Sequence, residues 1–187
     1  LKNNQTTDKI CANANHLPLA DNSVDIVMSS LMMQWCPDLK QLFSEIHRVL
    51  KNDGLILFST FGPDTLKELK NSWSVVDSEA HVNTFTDMHD IGDQMLGAGF
   101  VSPVMEMEKL TLTYQTVTDL LRDLKAIGAQ TVSARSKSLM GKDKFQLMIK
   151  MYESYRADEK LPATYEVIYG HAWKKQGKLG IIKITNQ

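Results

Sequence analysis

Arg122 and Lys125 are the two side chains whose spacing points most directly to chemistry. They lie three residues apart in a segment that predicts a helix over Thr118–Gly128, and residues at this spacing share one face of a helix. A guanidinium and an ammonium on one face can line a site for an anion. The spacing alone leaves open the alternative of a solvated charged face, in which Asp123 lies beside the two cations.

Two predicted strands, residues 9–12 and 24–29, end in residues that suit ligand binding. The first is a short strand candidate, and the second is a compact apolar run typical of a strand buried in a parallel sheet. In open α/β sheets, ligands bind in the crevice beyond the carboxyl ends of the strands. The candidate contacts at these two ends are Asn13, Ala14, Ser29, Ser30 and Leu31. The alternative at the first end is a plain turn, because asparagine favours local backbone hydrogen bonds.

The cysteines and histidines do not indicate nucleophilic or metal chemistry. Cys11 and Cys36 lie in apolar surroundings without a CxxC pattern or a Cys/His cluster, so we expect buried free thiols. Four histidines lack the spacing of metal ligands and are expected to be structural: His16, His47, His89 and His171. The sequence therefore predicts no metal site.

The composition narrows the class of protein. The chain has 187 residues, 43% of them hydrophobic, which is enough for one α/β domain with an appended lobe. A formal net charge of -1 gives no general attraction to nucleic acid or to an anionic membrane. No apolar run approaches the roughly 18 residues that a membrane helix needs, and the first residues do not resemble a signal peptide. We therefore expect a cytoplasmic protein.

The first third of the chain alternates between strand and helix periodicities. Asp38 is placed to cap a helix that runs to Leu50, because apolar residues recur at helical spacing and the Asn-Asp-Gly sequence at 52–54 follows as a stop. Leu55–Thr60 is the next predicted strand. About two dozen residues with one helix separate it from the strand at 24–29, which is the length of a parallel crossover. These elements predict a βαβ unit.

The later part of the chain predicts four helices and two alternating strands. Met105–Tyr114 alternates as a half-exposed strand, and Thr164–Trp173 alternates as a closing antiparallel edge strand. The helices predicted here are Asp64–Val76, Thr86–Ala98, Thr118–Gly128 and Lys144–Tyr155. The order of the elements therefore predicts an α/β fold with helices inserted before the last strand.

Several blocks, in this order, resemble the class I S-adenosylmethionine-dependent methyltransferases. The blocks NANHLPL at 13–19, NSVD at 22–25 and RVLK at 48–51 with Gly54 have the pattern of the later half of that domain. More narrowly, the chain resembles the malonyl-acyl-carrier-protein O-methyltransferases of biotin synthesis. The blocks that carry this likeness are MQWC at 33–36, FGPDTL at 61–66, MHDIG at 88–92, LRDLKAIGA at 121–129 and LPATY at 161–165. The resemblance implies a Rossmann-like sheet, its later part only, with an inserted helical lobe.

The resemblance implies S-adenosylmethionine as the cofactor. At the position of Asn13 the family usually has an aspartate that accepts a hydrogen bond from the adenine amino group; an amide oxygen also accepts, without charge-assisted strength. Ala14 would lie beside the adenine, and Ser29, Ser30 and Leu31 beside the sulfonium. The family's Gly-rich loop and ribose-binding acid have no counterpart in this sequence. We therefore expect the 187 residues alone to bind the cofactor weakly or not at all.

The resemblance also implies methyl transfer to the free carboxylate of a malonyl group on acyl carrier protein or coenzyme A. A carboxylate is already ionised at neutral pH, so the reaction needs in-line positioning and no general base. Arg122 and Lys125 are the candidates to orient it, and Gln34 and Trp35 are candidates for the pocket wall, with core packing as the alternative for Trp35. Weaker pocket candidates are His81, Asn83 and Arg135. The candidate surface for an acidic carrier protein comprises Arg135, Lys137, Lys142 and Lys144.

We expect three parts of the chain: residues 1–115 as the later half of the cofactor-binding domain, 116–160 as a helical substrate lobe, and 161–187 as a closing edge strand and tail. Two other functions remain open. One is a methyltransferase that acts on another small carboxylate or carbon centre. The other is a methyltransferase-like binding protein without catalysis, which Asn13 in place of an aspartate would permit.

Overall fold

The computed structural model describes residues 9–126 and 141–175. Its strands are β1 Val24–Ser30, β2 Leu50–Phe61, β3 Phe100–Tyr114 and β4 Leu161–Lys174. Its α-helices are α1 Leu39–Val49, α2 Lys67–Ser74, α3 Met88–Gly97, α4 Val117–Ala126 and α5 Lys142–Glu153, and a 3-10 turn covers Met33–Trp35. The predicted α/β class is confirmed. In the described part of the chain, no helix is long and apolar enough to cross a bilayer.

The first helix forms and ends for local reasons. The side chain of Asp38 accepts a hydrogen bond from the Gln41 N–H at 2.9 Å, as expected of an N-cap. The predicted stop at residues 52–54 is wrong, because α1 ends at Val49 and β2 begins at once. The Val49 carbonyl oxygen accepts from the Ser23 N–H at 2.8 Å, so sheet pairing begins at the last residue of the helix.

The strands pair in the order β1-β2-β4-β3. β1 and β2 run in the same direction, because Ser23 and Val49 pair at their starts and Gly54 lies beside the Asp25 carbonyl oxygen further along. The predicted βαβ unit is therefore confirmed. Among the described strands β1 is an edge, so the prediction that it is buried is wrong there, and Met28 is 76% exposed.

β4 lies inside the sheet. It runs against β2, since the Gly62 N–H donates to the Glu166 carbonyl oxygen at 2.9 Å while Gly170 lies beside Phe58. The predicted antiparallel direction is confirmed, but the predicted edge position is wrong, because β4 is inserted between β2 and β3. Most of its residues are buried for that reason, and β3 forms the other edge.

Three further expectations are wrong in part. Residues 9–12 form no strand and are exposed, since they pair with no strand among the described residues. Cys11 and Cys36 are free thiols as predicted, but Cys11 is exposed and Cys36 only half-buried. The helix predicted from Asp64 begins three residues later, because Leu66 has a left-handed backbone with φ +57°.

The chain forms two compact units, Leu1–Phe58 with Ile91–Val104 and Gly170–Gln187, and Ser59–Asp90 with Met105–Tyr169. The aromatic core of the first unit centres on Phe43, whose ring centroid lies 6.0 Å from that of Phe58 and 6.4 Å from that of Phe100. In the second unit, α2 packs against α5. The core there comprises Leu66, Leu69, Trp73, Val117, Leu120, Leu124, Met148, Tyr152, Leu161, Ala163 and Tyr165.

Candidate cofactor and substrate sites

Asn13 begins a tight turn in the first unit. Its Oδ1 accepts from the Asn15 N–H at 3.0 Å, and its carbonyl oxygen accepts from the His16 N–H at 2.9 Å. Asn13 is exposed and Ala14 is half-buried. The turn therefore forms, but it does not exclude ligand binding, because an amide oxygen can accept a second hydrogen bond.

Two side chains of α1 bind the backbone that follows this turn. Glu45 Oε1 accepts from the Leu17 N–H at 2.7 Å. Arg48 donates to the carbonyl oxygens of Leu17 and Leu19, at 3.1 and 2.9 Å, and to both carboxylate oxygens of Glu45, at 2.7 and 2.9 Å. Hydrogen bonding to Arg48 holds the pKa of Glu45 below its usual value. Glu45 and Arg48 were not singled out in the sequence analysis, although their three-residue spacing on a predicted helix places them on one face.

Near the end of β1, one buried polar group has no hydrogen-bond partner in the part of the chain that the structure describes. Ser29 is only 6% exposed, and its Oγ has no hydrogen-bond partner among the described residues; the same holds for Asn15 Oδ1. Buried polar atoms are nearly always satisfied, so an unpaired one calls for an explanation. A ligand with hydroxyl or amino groups suits these two atoms. Ser30 and Leu31 follow at the surface.

Gln34 and Trp35 lie in the 3-10 turn after β1. Gln34 Nε2 donates to the Leu31 carbonyl oxygen at 2.5 Å, which closes the turn. Met33 is the buried residue of this turn, whereas Trp35 remains substantially exposed. Core packing therefore does not account for Trp35, and its ring is accessible to a ligand.

Arg122 and Lys125 lie on the exposed side of α4 in the second unit, opposite the buried Leu120 and Leu124. Arg122 is 70% exposed at its side chain, and its Nη1 donates to Asp119 Oδ1 at 2.9 Å. Without a ligand, these residues thus form the solvated charged face that was the alternative to an anion site. An anion site at the two residues remains a prediction.

His81, a weaker candidate, borders a pocket of about 310 Å³ in the second unit, together with Lys70. The His81 ring stacks on Trp73 with 3.8 Å between centroids, and its Nε2 lies 2.7 Å from Asp77 Oδ1. Asp77 Oδ2 accepts from Lys144 Nζ at 3.0 Å. Hydrogen bonds from His81 and then Lys144 lower the pKa of Asp77 to about 2. Asp77 thus satisfies both groups, which makes this pocket a poor site for an anion.

The remaining candidates divide by location. Arg135 and Lys137 lie outside the described residues, as do Ile127 and Gly128 at the end of the helix predicted over Thr118–Gly128. Lys142 is exposed at the start of α5. Over residues 9–126 and 141–175, no group of three histidine, cysteine, aspartate or glutamate side chains is placed to hold a metal ion.

The chain is similar to known proteins over most of its length. Residues 1–58 match the family described as a methyltransferase domain. The chain is 57% identical over 166 residues to the malonyl-[acyl-carrier protein] O-methyltransferase of Gallionella capsiferriformans, which covers 88% of this chain and 57% of that protein. It is 50% identical over 183 residues to the enzyme of the same name from Nitrosospira multiformis, covering 96% of this chain and 60% of that protein. The chain thus spans somewhat over half the length of these relatives.

The fold has counterparts among solved structures. The crystal structure of the YcgJ protein of Bacillus subtilis superposes with a TM-score of 0.58 at 17% identity, covering 89% of this chain and 70% of that chain. A methyltransferase-like protein of Bacillus halodurans C-125 gives the same TM-score at 16% identity, with 88% and 70% coverage. The predicted Rossmann-like fold is confirmed. Residues 1–58 thus match a methyltransferase domain, and over most of its length the chain is similar to the malonyl-[acyl-carrier protein] O-methyltransferases.

Proposed function

We propose that the protein to which this chain belongs methylates the free carboxylate of a malonyl thioester on acyl carrier protein, with S-adenosylmethionine as methyl donor, in biotin biosynthesis. We place this activity in the cytoplasm. The substrate assignment is supported by 50–57% identity to relatives named for this reaction. The observation that carries the cofactor assignment is the buried, unpaired Ser29 hydroxyl at the end of β1.

The proposed cofactor contacts all lie in the first unit. Asn13 offers its amide oxygen to the adenine amino group, and the small side chain of Ala14 leaves room for the ring. Ser29, Ser30 and Leu31 lie at the strand end where such folds bind ligands. When bound, S-adenosylmethionine supplies a methyl group on a sulfonium. The protein's contribution is to hold and orient the cofactor.

The substrate contacts require cations but no base. Arg122 and Lys125 would orient the malonyl carboxylate, which is already ionised at neutral pH, so that methyl transfer to its oxygen would need no proton to be removed. Arg122 must exchange Asp119 for the substrate. This exchange costs little, because an exposed ion pair of this kind contributes only about 0–1 kcal/mol. Gln34 and Trp35 line the transfer pocket.

The test uses the full-length protein with S-adenosylmethionine labelled in its methyl group and with malonyl-acyl carrier protein or malonyl-coenzyme A. We expect a labelled methyl ester that mild alkali releases as methanol. The two thioesters, compared by kcat/KM, show which carrier is preferred. If neither malonyl thioester accepts label while the protein binds S-adenosylhomocysteine, the proposed reaction is wrong.

The Arg122→Gln variant tests the substrate contact. A charge-assisted hydrogen bond contributes about 1.5–3 kcal/mol, so we expect KM for the malonyl thioester to rise about 10-fold to 100-fold with kcat nearly unchanged. Lys150→Gln, which removes an exposed cation from α5 in the same unit, is the matched control and should leave KM unchanged. An unaltered KM for the malonyl thioester in Arg122→Gln would favour a methyltransferase that acts on another small carboxylate or carbon centre.

A further inference from the structure

The guanidinium of Arg48 uses all five of its N–H donors within the first unit. Nε donates to Glu45 Oε2, and Nη2 donates to Glu45 Oε1 and to the Leu17 carbonyl oxygen. Nη1 donates to the Leu19 carbonyl oxygen and to the Asp21 carboxylate. Because the five donors of arginine lie in one rigid plane, this set of acceptors determines where the backbone at Leu17 and Leu19 lies.

Glu45 completes the arrangement from the same helix. It is only 8% exposed, and a carboxylate is tolerated at that depth only when it is paired and hydrogen bonded. Leu17 is held on both sides, since its N–H donates to Glu45 and its carbonyl oxygen accepts from Arg48. The peptide groups on either side of Leu17 are therefore oriented by α1.

We propose that Arg48 and Glu45 are positioning residues for the cofactor. They fix the stretch 13–19, here called the cofactor loop, in the conformation that presents Asn13 and Ala14 to the adenine. The inference rests on the proposed function, because it assigns their role relative to those two contacts. The hydrogen bonds of Arg48 and Glu45 within the described residues reach the far end of the loop, so they act through its backbone.

The expected effect is on cofactor affinity. If only a fraction of molecules hold the loop in its binding conformation, the apparent Kd rises by the inverse of that fraction. Arg48→Lys keeps the charge but offers three donors on a flexible stem in place of five in a plane. A binding-competent fraction of about one tenth would raise Kd about tenfold. Glu45→Gln keeps one acceptor oxygen and should have a smaller effect, about threefold to tenfold.

The experiment measures S-adenosylhomocysteine binding by titration calorimetry, and kcat and KM for S-adenosylmethionine, in the full-length protein. The matched control is Lys51→Gln. Lys51 pairs with Asp25 at 2.9 Å at the surface of the same unit, and Asp25 is not part of the cofactor loop. We expect Arg48→Lys and Glu45→Gln to raise Kd and KM with kcat at saturating cofactor within twofold of wild type. Lys51→Gln should leave all three values within twofold.

The outcomes separate the two proposals. If the wild-type protein fails to bind S-adenosylhomocysteine, the proposed function fails and the inference fails with it. If the wild type binds and the Kd of both variants stays within twofold, the inference alone is overturned. A fall in kcat without a change in Kd would overturn it as well. Circular dichroism verifies folding, and Glu45→Gln alone decides the test if Arg48→Lys does not fold.

Discussion

Replacing Gly170 with alanine tests how closely β4 packs against β2. A Cβ at Gly170 would lie 2.3 and 2.5 Å from two ring carbons of Phe58 and 3.0 Å from a third, far inside van der Waals contact. Phe58 is buried and cannot easily turn away, because its ring packs on that of the fully buried Phe43. The added methyl group must therefore displace the ring or push the two strands apart.

The magnitude follows from this geometry. Extra methyl groups in a well-packed core cost about 1–3 kcal/mol, and contacts more than 1 Å too short place Gly170→Ala near the upper end. A loss of about 3 kcal/mol lowers Tm by about 6–12 °C in a protein of this size. Gly97→Ala is the matched control, since a Cβ there meets no atom within 4 Å, and we expect a change within about 0.5 kcal/mol.

The assay is urea unfolding of the full-length protein, with the midpoint and the slope compared between variants. The double variant Phe58→Leu/Gly170→Ala should be more stable than the sum of the single changes implies, because the smaller side chain accepts the new methyl group. A free energy of unfolding for Gly170→Ala within about 0.5 kcal/mol of wild type would refute this account of the packing. Additive effects in the double variant would do so too.

Two further predictions concern the second unit. Pairing lowers the pKa of Asp77 from 3.8 to about 2, so the stability that Asp77 contributes is present above about pH 4 and is lost as the pH falls towards 2. Urea unfolding over pH 2–5 should therefore show a weaker loss of stability in Asp77→Asn than in wild type. A pH profile that is the same in both proteins would contradict the pairing. Tyr152→Phe removes the hydroxyl that donates to the Pro162 carbonyl oxygen at 2.8 Å, and we expect a loss of about 1–3 kcal/mol in the same assay, with an unchanged midpoint as the contrary result.

The parts of the fold that the sequence predicts well depend on local chemistry. Asp38 and the apolar stripe of α1 determine the start and the buried face of that helix, and both appear as predicted. The position of a strand within a sheet depends instead on which other strands lie beside it. Alternation along Thr164–Trp173 predicts a strand, but no local pattern shows that it is inserted between two earlier strands. For the same reason, Met28 lies in an apolar segment typical of a buried strand but is exposed, because that strand lies at an edge of the described sheet.

The candidate site shows the same division. The strand-end rule predicts the position of Ser29 near the end of β1 because it needs only the end of a predicted strand, whereas Asn13 follows residues that form no strand. The contact between Glu45 and Leu17 joins residues 28 positions apart, and that between Lys144 and Asp77 joins residues 67 positions apart. Such pairs depend on the tertiary fold, so sequence periodicity cannot reveal them.

The interior position of β4 has a consequence for the timing of folding. Among the described residues, β4 pairs with β2 and β3, both made earlier, and β3 has no other neighbour in the sheet. Since the ribosome delivers the chain from its N-terminus, β3 stays unpaired and β2 keeps one open edge until Leu161–Lys174 has been synthesised. A chain that is stalled or cut before Leu161 presents the open edges of β2 and β3 to other molecules, and such edges are templates for aggregation. Synthesis of β4 therefore coincides with the protection of these edges from misassembly in the cell.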